Sequence, residues 1–388
     1  METAFRIDLF CRVIDNFGDV GVCWRLARQL AGEYFAHVRL WVDGLSTLQK
    51  ICPEIKTDQD EQVIAGVTIR QWRHPFLVVT PFSLPDAVLE GFGCRLPESY
   101  VAFMAERDFA PVWINMEYLS AEAWVGGCHK MASPQSLVPL VKYFFFPGFT
   151  PETGGLLREA DLFSRRRAFQ QDRVHARAFL AKMDVEFMPE DCLVSLFCYE
   201  NAPVSALFEN WAWQDKKKVF CLVPEGVAQK AVGAFLGQPA IAGARRMEGA
   251  LTVQVIPMMD QDDYDRLLWS CDLNFVRGED SFVRAQWAAR PFVWQIYPQD
   301  EDAHVFKLAA FLERYALGLP SHVAPMVREA WQLWNGWCEN EHAEPDFSWE
   351  MLLRVLPELT EYSVQWADEL GKAEGFASAL VRFIRNMR

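Results

Sequence analysis

The chain has 388 residues, 51% of them hydrophobic and 23% charged, with a formal net charge of −14. This length suggests two domains at roughly 100 to 200 residues each, and the acidic balance argues against a protein that grips phosphate backbones over a broad surface. Ten cysteines stand without a C-x-x-C pair, seven histidines are dispersed, and no signal-peptide pattern or long apolar run is seen; together these predict a cytoplasmic protein with reduced thiols and no metal site.

Residues 5–14 read as a buried strand, and Val20, Cys23, Trp24, Ala27, Leu30 and Ala31 form an apolar stripe at helical spacing. The loop between them, Asp15-Asn16-Phe17-Gly18-Asp19-Val20-Gly21, has two glycines that permit a tight turn. It lacks the G-x-G-x-x-G pattern, so it gives a dinucleotide cofactor little support. Two readings of its carboxylates stand. Asp19 caps the helix while Asp15 bonds turn amides, or the pair supplies a general base and a charge-stabilising partner.

Further strands are predicted at 37–43, 67–72, 87–92, 111–115 and 143–146, alternating with helical segments, as in a parallel sheet covered on both faces. The stretches 73–85 and 117–139 are too long and too apolar for linkers, and they predict loops over a cleft or a docking surface. Tyr118, Trp124 and His129 in the second stretch are acceptor-site candidates or packing residues.

The pattern breaks over 148–155, and the run Arg165-Arg166-Arg167 that follows reads as a solvated helix face. The predicted organisation is a first domain over 1–155, a connection over 156–184, a second domain over 185–359 and a terminal helix over 360–388. Strands in the second half are expected at 192–199, 219–223, 251–256, 272–276 and 291–297, with helices at 282–289, 304–317, 322–337 and 360–387. The turn Arg277-Gly278-Glu279-Asp280-Ser281 then falls between the carboxyl end of a strand and the amino end of a helix. Ligands of open α/β sheets bind there, and a helix start offers its N–H groups to phosphate. Simple capping of the helix by Asp280 or Ser281 is the alternative. A second polar loop, Tyr297-Pro298-Gln299-Asp300-Glu301-Asp302, follows the next strand.

The segments IDNFGDVGVCWRLARQLA (14–31), WINMEYLSAEAWVGGCHKMASP (113–134), FFFPGFTPETGGLLRE (144–159), RGEDSFVRAQWA and PFVWQIYPQDEDAH resemble the EarP family of bacterial protein-arginine rhamnosyltransferases, over essentially the whole chain. The resemblance implies an α/β fold of two facing Rossmann-like domains, the GT-B glycosyltransferase architecture, with the last helix crossing back to the first domain. It implies transfer of L-rhamnose, with inversion and without a metal, from dTDP-β-L-rhamnose to an arginine of translation elongation factor P. No further cofactor, nucleic acid or membrane is implied.

By the same resemblance Asp19 is the base and Asp15 helps to position the acceptor. Phe197 and Met258 would flank the thymine, Gln261 would lie near the base edge and Glu279 near the deoxyribose or the sugar. Asp280, Ser281 and Tyr297 would lie near the diphosphate, with Tyr199 at the same strand end as Phe197 and Arg277 the nearest cation. Met258 stands where the family pattern has an aromatic, and its polarisable sulfur can still cover a ring face. Two rival functions are a GT-B-like transferase or epimerase acting on a small nucleotide-sugar metabolite, and a non-catalytic translation-factor-binding protein. The first predicts turnover without a protein acceptor, the second complex formation without affinity for nucleotide sugar.

Overall fold

A computed structural model describes residues 5–15, 17–76, 85–106, 109–299, 303–337 and 349–388. Asn16, Asp300, Glu301, Asp302, Cys338 and residues 77–84 of the predicted 73–85 loop lie outside the described residues. The chain divides into two compact units, Met1–Ala160 with Gly371–Arg388, and Asp161–Leu370.

Unit 1 opens with β1 (Arg6–Cys11), α1 (Phe17–Tyr34), β2 (His37–Val42), α2 (Leu45–Ile51), β3 (Glu61–Ile64) and β4 (Val67–Gln71). It continues with β5 (Ala87–Gly91), α3 (Glu98–Ala105), β6 (Val112–Met116), α4 (Val125–Cys128), β7 (Ala132–Pro134) and β8 (Val141–Phe145). The sheet order is β3-β4-β2-β1-β5-β6-β8-β7. Without the antiparallel edges β3 and β7, the parallel strands follow the Rossmann order, reversing direction between β1 and β5. Strands β5 and β6 are buried at every residue, which is why they read as unbroken apolar runs and not as alternations.

One buried charge in this core is met in full. Asp8 accepts from Arg39 Nε at 2.5 Å, from Arg39 Nη2 at 2.9 Å and from Tyr100 Oη at 2.5 Å. Around it Phe10, Trp41, Trp72 and Tyr100 pack as rings.

Unit 2 comprises α5 (Leu162–Gln170), α6 (Arg173–Ala181), β9 (Cys192–Leu196), α7 (Val204–Trp213), β10 (Val219–Pro224), α8 (Gln229–Leu236), β11 (Arg245–Glu248) and β12 (Leu251–Ile256). Then follow α9 (Gln261–Ser270), β13 (Leu273–Arg277), α10 (Asp280–Trp287), β14 (Phe292–Gln295), α11 (Ala303–Ala316), α12 (Ala324–Trp334), α13 (Trp349–Arg354) and α14 (Leu356–Leu370). Its sheet order, β11-β12-β10-β9-β13-β14, repeats the Rossmann reversal, here between β9 and β13. The two units are thus Rossmann-like α/β folds in succession, the domain content of GT-B glycosyltransferases.

Three sequence expectations need correction. Residues 156–184 are not a separate connection. Residues 156–160 belong to unit 1, and the rest form α5 and α6 of unit 2, because Phe179 and Leu180 of α6 pack into the core beside Leu193 and Phe220. The basic run is not a uniformly solvated face, since Arg166 is only 3% exposed.

The stretch 360–388 is not one helix either. It breaks after α14, and α15 (Phe376–Met387) belongs to unit 1. Arg158 holds the break, donating to the carbonyls of Gly371 at 2.6 Å and Ala373 at 2.8 Å. Gly155, at φ +72°, passes so close that a Cβ there would lie 2.1 Å from the Glu374 carbonyl oxygen. Helix α15 then docks Phe376 and Phe383 against Phe145 at the end of β8.

Candidate functional site

The candidate residues of each unit gather at its sheet reversal, on the carboxyl side of the strands. In unit 1 the β1–α1 loop is drawn tight by Gly18, whose N–H donates to the Asp15 carbonyl at 2.6 Å. A Cβ at Gly18 would lie 2.5 Å from Asp15 Oδ2, so the glycine is required for the two carboxylates to share this turn. Asp19 sits in the first turn of α1 and reaches back. Its Oδ2 accepts from the N–H groups of Ile14 and Asp15, both at 2.9 Å. Its Oδ1 accepts from Tyr118 Oη at 3.1 Å.

Capping alone does not describe this arrangement, because an amino acid 99 positions away completes it. Asp19 is 2% exposed and Asp15 9%. Burial pushes the Asp19 carboxyl above the usual carboxylate range, against the three hydrogen bonds that pull it down. A carboxylate so held is oriented yet basic for its type, as proton abstraction requires.

Tyr118 is itself fixed by stacking on Phe92, with ring centroids 4.6 Å apart. Phe92 follows β5 with φ +53°, so a strained backbone position at the reversal presents the ring. Of the three candidates in 117–139, Tyr118 therefore joins the carboxylates. His129 does not. Its Nδ1 accepts from the Phe146 N–H at 3.1 Å, it packs on the Phe145 ring, and burial pushes its pKa down to about 4. Trp124, half exposed, meets the same segment edge-on at Phe146.

In unit 2 the reversal lies between β9 and β13, and the strand ends carry Phe197, Tyr199 and Arg277 together. The Arg277 guanidinium lies 4.7 Å from the Phe197 ring centroid and 4.6 Å from that of Tyr199, a cation held between two π faces. Tyr297 meets Tyr199 edge-on at 5.7 Å and is 39% exposed.

The capping alternative for α10 fails in detail. Its N-cap residue is Glu279, which makes no side-chain cap bond. The Ser281 hydroxyl turns back to the preceding loop, donating to the Arg277 carbonyl and accepting from the Arg277 N–H at 3.1 Å. Asp280 accepts from Gln261 Nε2 at 3.1 Å, which ties the start of α10 to the start of α9. Gln261 is thus engaged with a carboxylate at the helix start. Met258 lies partly buried in the segment after β12.

Two features position this turn from behind. Arg284 and Asp265, both almost fully buried, form a bidentate pair at 2.9 and 2.5 Å that locks α10 to α9. Gln295 at the end of β14 accepts the Tyr199 N–H at 2.8 Å and donates to Asn201 at 3.1 Å. Sequence reasoning did not single out Phe92 or Gln295. The one available sign was a glutamine closing the otherwise apolar strand FVWQ. Among the described residues no group of three or more His, Cys, Asp or Glu is placed to hold a metal ion.

With this geometry in place, comparison with known proteins is decisive. The model of the elongation factor P rhamnosyltransferase EarP matches residues 7–385. The chain belongs to the EarP family. It is similar to protein-arginine rhamnosyltransferase of Pseudomonas aeruginosa, 47% identical over 97% of this chain and 98% of the relative. The corresponding protein of Pseudomonas putida is 46% identical over 98% of each. Among solved structures, one described as the structural basis for EarP-mediated arginine glycosylation of translation elongation factor EF-P superposes with a TM-score of 0.68 and 34% identity. It covers 98% of this chain and 99% of that one. The similarity to this structure over nearly the whole chain agrees with the tandem Rossmann-like units described above.

Proposed function

We propose that this chain transfers L-rhamnose from dTDP-β-L-rhamnose to an arginine side chain of translation elongation factor P, with inversion at the anomeric carbon. The observation that carries the reading is Asp19: buried, gripped by two amides and a phenol, and shifted toward basicity. An arginine guanidinium is protonated at neutral pH and is a poor nucleophile. A carboxylate that pairs with it localises its charge and accepts one N–H proton as the nitrogen forms its bond to the anomeric carbon. The bond from that carbon to the diphosphate oxygen breaks at the same centre, and dTDP leaves with the electron pair. Asp15, in the same turn, helps to hold the acceptor.

Unit 2 supplies the donor half of the reaction. Phe197 and Met258 offer ring and thioether surface to the base, with Gln261 at its edge and Tyr199 at the same strand end as Phe197. Glu279 faces the sugar portion. Asp280, Ser281 and Tyr297 lie about the diphosphate, whose developing charge is met by the positive end of α10 and by Arg277. Asp280 contributes through its backbone and through Gln261, which offsets part of its charge. In this mechanism the helix end and Arg277, with no metal, meet the charge on the leaving group. Among the described residues no helix is long and apolar enough to cross a membrane, and none of the nine described cysteines is in a disulfide. The proposed place of action is the cytoplasm.

The test is incubation with purified elongation factor P and a panel of dTDP-sugars, followed by intact-mass measurement. A single deoxyhexose increment, located on one arginine and obtained with dTDP-rhamnose, is the expected result. Absence of any increment, or turnover without the protein acceptor, would reject the reading.

A further inference from the structure

The first and last helices of unit 2, α5 and α14, wall a cavity of about 470 Å³ together with Ala289 just beyond α10. Arg166, Arg167, Gln170 and Gln171 line one side, and Val364 and Asp368 the other. The cavity lies at the carboxyl end of α10. The donor turn lies at the amino end, about 12 Å away along eight helical residues.

Arg166 is buried with its hydrogen-bonding capacity mostly unused. A guanidinium carries five N–H groups. Here Nη1 donates to the Trp287 carbonyl at 2.8 Å. The Asp368 carboxylate stands 3.9 Å from Nη2, beyond hydrogen-bond range, and Nε has no partner. Arg167 leans on the same carboxylate at 3.4 Å. Arg290 adds a third positive charge near enough to oppose that of Arg166. Arg290 has Asp272 as its own counter-charge, but Arg166 and Arg167 share one half-exposed carboxylate, a local positive excess in a chain whose net charge is −14. The Phe163 ring covers one face of this guanidinium, 5.4 Å from its centroid, but supplies no hydrogen-bond acceptor, so a bound anion would satisfy donors the protein leaves unmet.

We propose that this cavity binds the phosphate group of a small phosphorylated ligand, held by Arg166 and Arg167 with Gln171 at its rim, while Gln170 braces the wall by donating to the carbonyls of Ala288 at 2.9 Å and Trp269 at 3.3 Å. A dianion matches the positive excess better than a carboxylate does, and a planar guanidinium fork suits its tetrahedral oxygens. The cavity exceeds one phosphate in volume, so the ligand carries that group on a small organic body. Bound there, it staples α5 to α14.

The experiment is calorimetric titration of the full-length protein with inorganic phosphate at fixed ionic strength, comparing wild type with Arg167→Ala and Asp368→Asn. Both changes are at exposed side chains and neither touches the donor turn. Saturable binding, weakened about fivefold in Arg167→Ala and tightened by a similar factor in Asp368→Asn, is the expected pattern. Absence of saturable binding overturns the proposal. So does an affinity that neither substitution moves, since phosphate would then be sitting at the amino end of α10.

Discussion

The Tyr118 hydroxyl donates to Asp19 Oδ1 at 3.1 Å while the opposite oxygen, Oδ2, takes two loop amides at 2.9 Å. The carboxylate is therefore fixed from both sides, by its own loop and by the segment after β6. A base held this way loses little by reorientation when a guanidinium approaches.

Asp19→Asn tests the base directly. The asparagine oxygen can keep the two amides and its Nδ2 can donate to the Tyr118 oxygen, so the fold should be retained. Turnover should fall on the order of 10² to 10⁴. Rhamnosylation rates by mass spectrometry, beside thermal melts, give both answers, and near-normal turnover in folded protein would remove Asp19 from the mechanism. Because the folded carboxyl is shifted upward, its ionisation opposes folding once pH rises through that value. The variant should therefore melt no lower than wild type at neutral pH.

Tyr118→Phe should act through pH. The phenol favours the charged form of Asp19, so its loss raises the carboxyl further, and the acid limb of the kcat/KM profile should move to higher pH. At pH well above that limb the rate should recover most of its wild-type value. A uniform loss at every pH would show instead that the ring serves the acceptor directly.

His129 should mark acid stability. Its pKa is pushed from 6.5 down to about 4 by burial, so the folded state holds it neutral. The associated stability is complete above the unfolded value and drains away as pH falls from about 6.5 through 4. In His129→Asn, whose side-chain oxygen can still accept the Phe146 N–H, chemical denaturation should depend less on pH across this window. An unchanged pH dependence would assign the acid sensitivity elsewhere.

Breaking the Arg284 to Asp265 pair should be costly. Asp265→Ala removes the carboxylate that faces a buried guanidinium, for a loss of about 3–5 kcal/mol, measurable by urea denaturation. The double replacement Asp265→Leu with Arg284→Met should cost less than the single one. Because the pair sets α10 against α9, donor affinity should also weaken in Asp265→Ala, and an unaltered affinity would mean that the helix start is held by other contacts.

Much of the fold was legible because the parallel strands are buried on both faces, so 87–92 and 111–115 show as apolar runs whatever surrounds them. The edge strands β3, β7 and β11 were not. EQVI, ASP and RRME are short and largely polar, and only pairing with a neighbour makes them strands. The candidate site was legible only as residue types in loops, namely Asp15 with Asp19 and the turn from Arg277 to Ser281. Their partners were not, because Tyr118 reaches Asp19 across 99 positions, and Gln261 reaches Asp280 from another helix.

Sequence alone determined the alternation of strands and helices, the loops that follow the strands and the polar residue types of the two turns. All of these are local and survive any packing. Tertiary structure decided what each side chain does: whether a carboxylate is buried and basic, whether an arginine in a basic run is solvated or enclosed, and where the last helix docks. Those outcomes depend on desolvation and on hydrogen-bond partners brought from distant parts of the chain, which no local pattern encodes.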